Sequence, residues 1–367
     1  MPSIHEIELL EILSKLPDAA KLTETQIPTL DSDTILIAIL GFEKRCLSIP
    51  EKLAAQGKHK AQKAYYLTYT TNTKDNEDNK DRLFEALSKI SIEHHPLICD
   101  THDFPQNFRK IIAGCKSSGT RLKIVFDISV CSSMPLLIAL KILFEYDIDL
   151  HILYSEAEIY HPTSKEWEIE KDKHIKEEGF GIAKGVGNVI PSPEHPGDRK
   201  DNLPERVFVF PTFKPERVIA ILHDIDPSIA IAPAKHVIWF VGQPHLHENE
   251  WRIDAVKEIN KITDDTQHML VSTFDYKATI SALNGQWEKC KKYHITIAPL
   301  GSKLQAIGIT LFWLMHQEIS MIFAVPEQYN AKQYSDGCLD MWYIPLGSTR
   351  VTKNLLMRIG NLEIRET

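Results

Sequence analysis

The sequence has 367 residues, enough for two or three domains of ordinary size. Hydrophobic residues make up 43% and charged residues 25% of the chain, as in a packed globular protein, so disordered, collagen-like and low-complexity classes are excluded. The net charge of −8 and the lack of a long basic run argue against a long nucleic acid as partner.

The six cysteines and the N-terminus predict a cytoplasmic protein. No two cysteines stand in a CxxC spacing, and several lie in apolar runs, which is typical of reduced thiols. The first 30 residues lack a basic start followed by an apolar core, so no signal peptide is predicted. The longest apolar stretches, 134–144 and 306–315, are shorter than the roughly 20 residues that span a bilayer, and no membrane contact is expected.

The first part of the chain predicts a helical lead and then a βαβ domain. Residues 1–33 form the lead, and residues 34–161 form a first unit in which β-rich runs alternate with helical patterns, the signature of a parallel sheet. Its strands are predicted at 35–40, 65–69, 95–99, 123–128 and 150–154, and its helices near 44–56, 80–90, 105–116 and 134–146.

A second unit follows a polar segment. Residues 162–205 predict an insertion or linker, part helix and part Pro-rich loop. Residues 206–345 form the second unit, and residues 346–367 a C-terminal tail. Its strands are predicted at 206–210, 236–241, 268–272, 293–298 and 320–325, and its helices near 215–224, 250–263, 276–289 and 303–316. The near-continuous apolar strands indicate that helices cover both sheet faces, so we predict an α/β fold of two tandem Rossmann-like, doubly wound parallel-sheet units.

An internal duplication relates the two units. Residues 132–160 align without a gap on residues 301–329, at an offset of 169. Upstream, an offset of 172 pairs Asp103 with Asp275 and continues through two strands and a helix. Because a nearly constant offset holds across five consecutive elements, we favour duplication over chance similarity of two α/β folds.

Ligand sites in open α/β sheets lie beyond the carboxyl ends of the strands, so the strand-to-helix turns are the first places to search. After the fourth strand of the second unit stand Gly301, Ser302, Lys303 and Gln305. A tight glycine turn, a helix N-terminus, a hydroxyl and a cation suit a phosphate or another anion. The alternative is that Ser302 only caps the helix and Lys303 is solvated.

The equivalent turn of the first unit carries Ser129, Ser132 and Ser133, with Met134 in place of the lysine. Hydroxyls and backbone N–H groups there can hold a neutral or anionic group. Asp127, at the end of the preceding strand, either contacts a ribose hydroxyl, acts as a base, or stabilises the turn.

Arg45 and Arg217 align at the offset of 172, and each opens a helix after the first strand of its unit. A cation there opposes the helix dipole unless a negative group compensates it. A bound phosphate, or the neighbouring Glu43 or Glu216, would each do so.

An acid and an aromatic residue follow the fifth strand of both units. Glu158 aligns with Glu327, and Tyr160 with Tyr329. Such a pair fits a site that stacks a base and accepts a hydrogen bond from it. Alternatively, the tyrosines cover the sheet edge and the acids are solvated.

Histidine clusters do not predict a metal site. The best of them, His245 and His247 with Glu248, has neither HExxH nor Cys2His2 spacing. A polar substrate loop is the favoured interpretation, and no metal or cofactor is expected.

The segment ITIAPLGSKLQAIGITLF, residues 295–312, resembles the diagnostic segment of CARF domains, the Rossmann-like ligand sensors of CRISPR-associated effectors. Two such units in tandem also resemble the SAVED sensors of prokaryotic defence. The resemblance implies that Gly301, Ser302, Lys303 and Gln305 contact the phosphates or bases of a cyclic oligonucleotide. The family's second glycine is missing, the first unit lacks the lysine, and no nuclease domain is discernible. An effector would therefore be a separate protein or the Rossmann unit itself.

Three hypotheses of function follow. The leading one is a sensor in prokaryotic antiviral defence that binds a small anionic ligand, a nucleotide or a cyclic oligonucleotide, at the strand-to-helix turns. The second is a hydrolase or transferase acting on a nucleotide or phosphorylated metabolite, with Asp127, Glu158 or Glu327 as acid or base. The third is a non-catalytic interaction subunit whose turns merely cap helices.

Overall fold

The computed structural model describes residues 4–23, 26–57, 60–115, 121–176, 183–199, 203–331 and 334–363. The chain divides into two compact units. We call Glu11–Tyr160 together with Tyr334–Arg358 the first unit, and the part centred on His161–Gln333 the second unit. None of the helices in the described ranges is both long and apolar enough to cross a bilayer.

The elements up to residue 160, and those after residue 334, alternate strands with helices. They are α1 (Ile4–Lys15), β1 (Ala20–Lys21), β2 (Thr34–Ile39), α2 (Ser48–Gln56), β3 (Ala61–Thr68), α3 (Thr73–Glu77), α4 (Lys80–Ile90), β4 (Ser91–Ile98), α5 (Phe104–Gly114), β5 (Lys123–Asp127), α6 (Ser133–Leu143), β6 (Asp149–Ser155) and β7 (Ile159–Tyr160), then β16 (Ser335–Asp336), β17 (Met341–Ser348) and α13 (Thr349–Glu363). A single 3-10 turn, Lys44–Cys46, precedes α2.

The elements between residues 161 and 333 follow the same alternation. They are α7 (Ser164–Lys176), β8 (Ala183–Lys184), β9 (Asn188–Pro196), β10 (Glu205–Val209), α8 (Pro215–Ile225), α9 (Pro227–Ile231), β11 (Val237–Gln243), α10 (Trp251–Ile259), β12 (His268–Ser272), α11 (Tyr276–Lys289), β13 (His294–Ala298), α12 (Lys303–Met315), β14 (Ser320–Val325) and β15 (Gln328–Tyr329). Two 3-10 turns, Pro233–Lys235 and His247–Asn249, flank β11.

Six strands of the first main sheet, which has seven, follow the same order as the six strands of the second. The first is β1-β17-β6-β5-β2-β3-β4, and the second is β9-β14-β13-β10-β11-β12. In each, five neighbouring strands are parallel, β2 to β6 in the first and β10 to β14 in the second. The predicted α/β class of two Rossmann-like units is therefore confirmed, and the matching order fits an internal duplication.

An antiparallel sixth strand from outside the five-strand core extends each sheet, and in the first sheet the short strand β1 follows it as a seventh. β17, after the second core in the chain, pairs with β6 in the first sheet. β9, which follows the first core, pairs with β14 in the second sheet. The two copies have thus exchanged the strand that follows each core.

Because of this exchange, the two units of the structure include segments outside the bounds predicted for them. The segment 162–205, predicted as a linker, contributes α7 and β9 to the second unit, and the tail 346–367 contributes the end of β17 and α13. β9 forms in spite of Pro191, Pro193 and Pro196 because it is an edge strand, where a missing N–H costs nothing. Residues 177–182 and 200–202, and Lys116 at the end of a predicted helix, lie outside the described residues.

Two helices fix the turns that follow the fourth core strands. Most residues of α6 and nearly all residues of α12 are buried, since both helices are apolar on every side. Each therefore packs as an interior helix whose N-terminus is held at the carboxyl edge of its sheet.

Candidate functional site

Strand order reverses at the first core strand of each sheet, which places the expected ligand crevice between two specific loops. In the first unit these are the loops after β2 and after β5, since β2 lies between β3 and β5. The loops approach closely, because a Cβ added at Gly41 would lie 3.0 Å from Cγ2 of Val130.

Asp127 stabilises the turn after β5 through hydrogen bonds with Ser129 of the same turn. Its Oδ1 accepts hydrogen bonds from the Ser129 backbone N–H at 3.0 Å and from the Ser129 hydroxyl. The hydroxyl oxygen of Ser129 in turn accepts from the Ser155 N–H at 2.8 Å, which ties the turn to the end of β6. Burial raises the pKa of Asp127 to about 6, against the opposing effect of the bonds from Ser129. Of the three roles predicted for Asp127, its contacts match the turn-stabilising one.

The start of α6 is uncapped. Ser132 occupies the N-cap position with extended backbone angles, but its side chain makes no capping hydrogen bond. The first N–H groups of a helix have no partner within the helix. Ser132 and Ser133 are both half-buried, and the Ser132 N–H donates to the Tyr69 hydroxyl at 2.8 Å. This turn therefore presents hydroxyls and helix N–H groups at the edge of the sheet.

The equivalent turn of the second unit is closed by its own side chains. Ser302 Oγ accepts from the Gln305 N–H at 3.1 Å, and Gln305 Oε1 accepts from the Ser302 N–H at 2.9 Å. This is a complete capping box. The Ser302 hydroxyl also donates to the Thr273 carbonyl at 2.5 Å, and the Gln305 amide donates to the Ser272 carbonyl at 3.2 Å.

Gly301 and Lys303 flank that capping box. A Cβ at Gly301 would overlap the Gln305 amide oxygen and come within 3.2 Å of Phe210 Cβ, so the box requires glycine there. Lys303 is the first residue of α12 and is half-buried. Of the four residues predicted to hold an anion here, Ser302 and Gln305 have their polar atoms engaged in capping.

Arg45 is buried and paired within the protein. Its side chain is 3% exposed, Nε donates to Glu43 Oε2 at 2.8 Å, and Nη1 donates to the Ser155 carbonyl at 3.0 Å. The compensating group is thus Glu43, one of the alternatives that the sequence left open. Arg45 also lies over the Tyr160 ring, 5.7 Å from its centroid.

Arg217 occupies the same place in the second unit. Its Nε donates to the Ala324 carbonyl at 3.0 Å, near the end of β14. Glu216 pairs instead with Lys214, at 3.4 Å, and Lys214 is almost fully buried. Burial lowers the pKa of Lys214, while Glu216 acts in the opposite direction.

Tyr160 and Glu158 lie beyond β6. The Tyr160 hydroxyl is 2.8 Å from that of Tyr154 and accepts from the Ala157 N–H at 3.2 Å. Tyr160 also pairs with Ser335 across β7 and β16. Glu158 is exposed and lies against Gly337, where an added Cβ would come within 2.8 Å of the Glu158 Cβ. These contacts match the alternative in which the tyrosine covers the sheet edge.

Tyr329 and Glu327 repeat this arrangement in the second unit. Tyr329 is half-buried and pairs with Ala183 across β15 and β8. Glu327 is exposed, and an added Cβ at Gly185 would lie 3.4 Å from its Cδ. The duplication has therefore reproduced an acid packed against a left-handed glycine.

The histidine clusters do not form a metal site in the described residues. His247 is 95% exposed, and His245 packs on the Phe274 ring with centroids 4.4 Å apart. Within the described ranges, no three His, Cys, Asp or Glu side chains are grouped so as to hold a metal ion.

Two residues that contact the loops after β5 and β2 of the first unit were not predicted from the sequence. Tyr69 follows β3, and burial holds the pKa of its hydroxyl well above the ordinary value, so it stays protonated beside Ser132. Asn79 is buried, and its amide donates to the carbonyls of Gly41 and Phe42 at 2.8 and 3.1 Å. Tyr69 stands at the carboxyl end of a predicted strand, and that position could have marked it as a site residue. Asn79 stands at the start of α4, far in sequence from the loop that it contacts.

Similarity to known proteins is found among solved structures. No protein-family model matches the sequence, and no curated protein matches it either. Among solved structures, a type III CRISPR defence DNA nuclease activated by cyclic oligoadenylate aligns with a TM-score of 0.39 and 8% identity, over 75% of this chain and 63% of the nuclease chain. AtPrR2 in its apo form aligns with a TM-score of 0.24 and 13% identity, over 70% and 86% of the two chains. A universal stress protein from Archaeoglobus fulgidus aligns with a TM-score of 0.22 and 8% identity, over 80% and 97%.

Proposed function

We propose that the protein binds a nucleotide or a cyclic oligonucleotide at the strand-to-helix turns of its parallel sheets, as a sensor in prokaryotic antiviral defence. The observation that carries the proposal is the uncapped start of α6, beside the strand-order reversal of the first sheet. Open α/β sheets bind ligands at this position.

The chemistry of the α6 turn suits a phosphate. The N–H groups at the start of a helix and the positive end of its dipole favour an anion. Ser132 and Ser133 add two half-buried hydroxyls, and the protonated Tyr69 hydroxyl lies beside them. These groups recognise phosphate and ribose oxygens without a resident metal or cofactor.

The two related turns are proposed to contribute unequally. In the second unit Ser302 and Gln305 already satisfy the helix start, so Lys303 is the contact that we propose for an anion there. Gly301 supports the capping box, and Arg45, Tyr160 and Tyr329 support the scaffold. The α6 turn is therefore the primary site of the proposal.

Binding without turnover is favoured over hydrolysis or transfer. Asp127 is 2% exposed, and its side chain is hydrogen-bonded within its own turn. Glu158 and Glu327 lie against glycines beyond the last core strand of each unit. The output of the proposed sensor would pass to a separate effector protein.

A matched pair of substitutions tests the proposal. Cyclic tetra-adenylate is the first probe, with ATP and 5′-AMP as further probes, and the readout is the ligand-dependent rise in Tm. Ser132→Asp should remove the rise without lowering the Tm of the free protein, because aspartate caps a helix and repels a phosphate. Ser302→Asp adds the same charge at the closed turn, where it also removes the hydrogen bond from the Ser302 hydroxyl to the Thr273 carbonyl, and it should leave most of the rise in place.

Each outcome has a defined meaning. A rise that survives Ser132→Asp but is lost in both Ser302→Asp and Lys303→Ala assigns the ligand to the second turn. If none of the probes raises the Tm of the unsubstituted protein, or if all three variants respond fully, the proposal is wrong. Consumption of a probe, followed by chromatography, would favour the enzyme hypothesis instead.

A further inference from the structure

A continuous network of hydrogen bonds leads away from the turn after β5. It begins at Asp127 and Ser129, continues from the Ser129 hydroxyl to the Ser155 N–H, and reaches Arg45 through the Ser155 carbonyl. Arg45 then bonds Glu43 at 2.8 Å. Each of these five residues is less than 8% exposed, so the whole path lies out of water.

The network ends on the segment 334–340, which comes from the far end of the chain. The Ser335 hydroxyl donates to Glu43 Oε2, the oxygen that also accepts from Arg45. Cys338 Sγ lies 2.9 Å from the Ser155 hydroxyl, a second contact to the same residue that anchors the turn. The Tyr334 ring meets the Phe42 ring edge-on, with centroids 5.7 Å apart.

Backbone hydrogen bonds also hold the segment to the first unit. The Leu339 N–H donates to the Glu156 carbonyl at 2.9 Å, and the Glu156 N–H donates to the Asp340 carbonyl at 2.8 Å. Gly337, with a φ of 68°, makes the sharp bend between β16 and β17. The segment continues directly into β17, the exchanged strand that pairs with β6.

We infer that this network couples the α6 turn to the segment 334–340, so that a ligand at the turn changes how firmly the segment is held. Buried polar networks suit this role, because inside the protein one unmade hydrogen bond costs more than at the surface. Arg45 and Glu43 are positioning residues here and need not touch the ligand. The ligand-dependent half of the inference rests on the proposed function, while the coupling itself can be measured without a ligand.

Two native cysteines report on the two ends of the network. Cys338 lies in the segment and Cys131 in the turn, and Cys131 is fully buried. Cys290, buried in the second unit, serves as an internal reference for general unfolding. Labelling of the full chain by a maleimide, followed by mass spectrometry of the peptides, gives the rate for each thiol separately.

Ser129→Ala should raise the labelling rate of Cys338 about fivefold to thirtyfold relative to Cys290, because the variant loses the two buried hydrogen bonds that the Ser129 hydroxyl makes with Asp127 and Ser155. The reciprocal change, Ser335→Ala, should raise the rate of Cys131, because coupling between two sites is mutual. Ser91→Ala is the matched control, since Ser91 is also buried and its hydroxyl bonds the Leu87 carbonyl at 2.7 Å, away from the network.

The inference is overturned if Cys338 in Ser129→Ala accelerates no more than Cys290, or no more than in Ser91→Ala. It is likewise overturned if Ser335→Ala leaves Cys131 unchanged. Added cyclic tetra-adenylate should slow the labelling of Cys338 in the unsubstituted protein and not in Ser129→Ala. A probe that binds but leaves Cys338 unchanged contradicts the coupling, whereas a chain that binds no probe contradicts the proposed function and leaves the thiol rates to decide the coupling.

Discussion

Arg45 donates a hydrogen bond from Nη1 to the backbone carbonyl of Ser155, and the related Arg217 donates from Nε to the carbonyl of Ala324, both at 3.0 Å. The arginines are 172 residues apart and the two acceptors 169, which are the two offsets of the duplication. Each arginine thus joins the loop after the first core strand to the end of the last core strand. The feature that both units share at this position is therefore a hydrogen bond that stabilises the fold.

Removing Arg45 should cost more stability than removing Arg217. Arg45→Met leaves Glu43 buried at 7% exposure without its cation, a change that costs about 3–5 kcal/mol. Arg217→Met loses a carbonyl contact and should cost about 1.5–3 kcal/mol. Urea unfolding measures both. Glu43→Gln in the Arg45→Met background should recover part of the loss, and equal losses in the two single variants would contradict the buried-pair explanation.

Asp127 should make the protein less stable as the pH rises from about 4 to about 6. Its pKa is raised to about 6 in the folded state, from an ordinary value near 3.8, so the folded state binds more protons within that interval. A difference of about two pKa units corresponds to about 3 kcal/mol, which is present below pH 4 and lost by pH 7.

Asp127→Asn removes this titration and tests the sign. The free energy of unfolding of the variant, measured by urea at several pH values, should be flatter between pH 4 and 7 than that of the unsubstituted protein. An equally steep fall in both proteins would show that another group is responsible.

The capping difference between the two turns predicts unequal effects of one substitution. Ser302→Ala removes a cap that accepts from the Gln305 N–H, and should cost about 1–2 kcal/mol. Ser132→Ala removes a hydroxyl that caps nothing and should cost less than about 0.5 kcal/mol. Thermal and urea unfolding of the two variants make the comparison. A similar loss in both would mean that the Ser132 hydroxyl already satisfies the helix.

Local patterns predicted the ten core strands and the helices between them, because each is a compact apolar or amphipathic run. The strands 268–272 and 320–325 and the helices 80–90 and 276–289 have the predicted bounds in the structure. The sixth strands were not predicted. β17 pairs with β6 from about 190 residues away, and nothing in its local sequence indicates that partner.

At the turns, the sequence located the residues but not the state of their side chains. Ser132 and Ser302 stand in similar patterns, yet only Ser302 has a glutamine three residues later that completes a capping box. That difference was visible in the sequence, and the box pattern was the available signal. The pairing of Arg45 with Glu43 was one of several open alternatives, and only the packed loop decides among them.

Gly301 and Gln305 should show strong coupling in a double-mutant cycle. Gly301→Ala displaces the Gln305 amide and breaks the capping box, and Gln305→Ala breaks it by removing the amide. The double variant should therefore lose clearly less stability than the sum of the single losses, with a coupling of about 1 kcal/mol. Purely additive losses in urea unfolding would mean that the glycine serves another contact, such as the approach of Phe210.

The exchanged strand predicts that a substitution near the C-terminus destabilises the first sheet. Ile344 is fully buried in β17 opposite Ile152 of β6, so Ile344→Asp places a charge in the core and loosens that pairing. Hydrogen exchange should then rise first in β6 and β5, which lie far from residue 344 in the sequence. The matched change Val351→Asp, at an exposed site just after β17, should leave exchange in both strands unchanged. If Ile344→Asp instead affects only its own strand, β17 contributes little to the stability of the sheet that it completes.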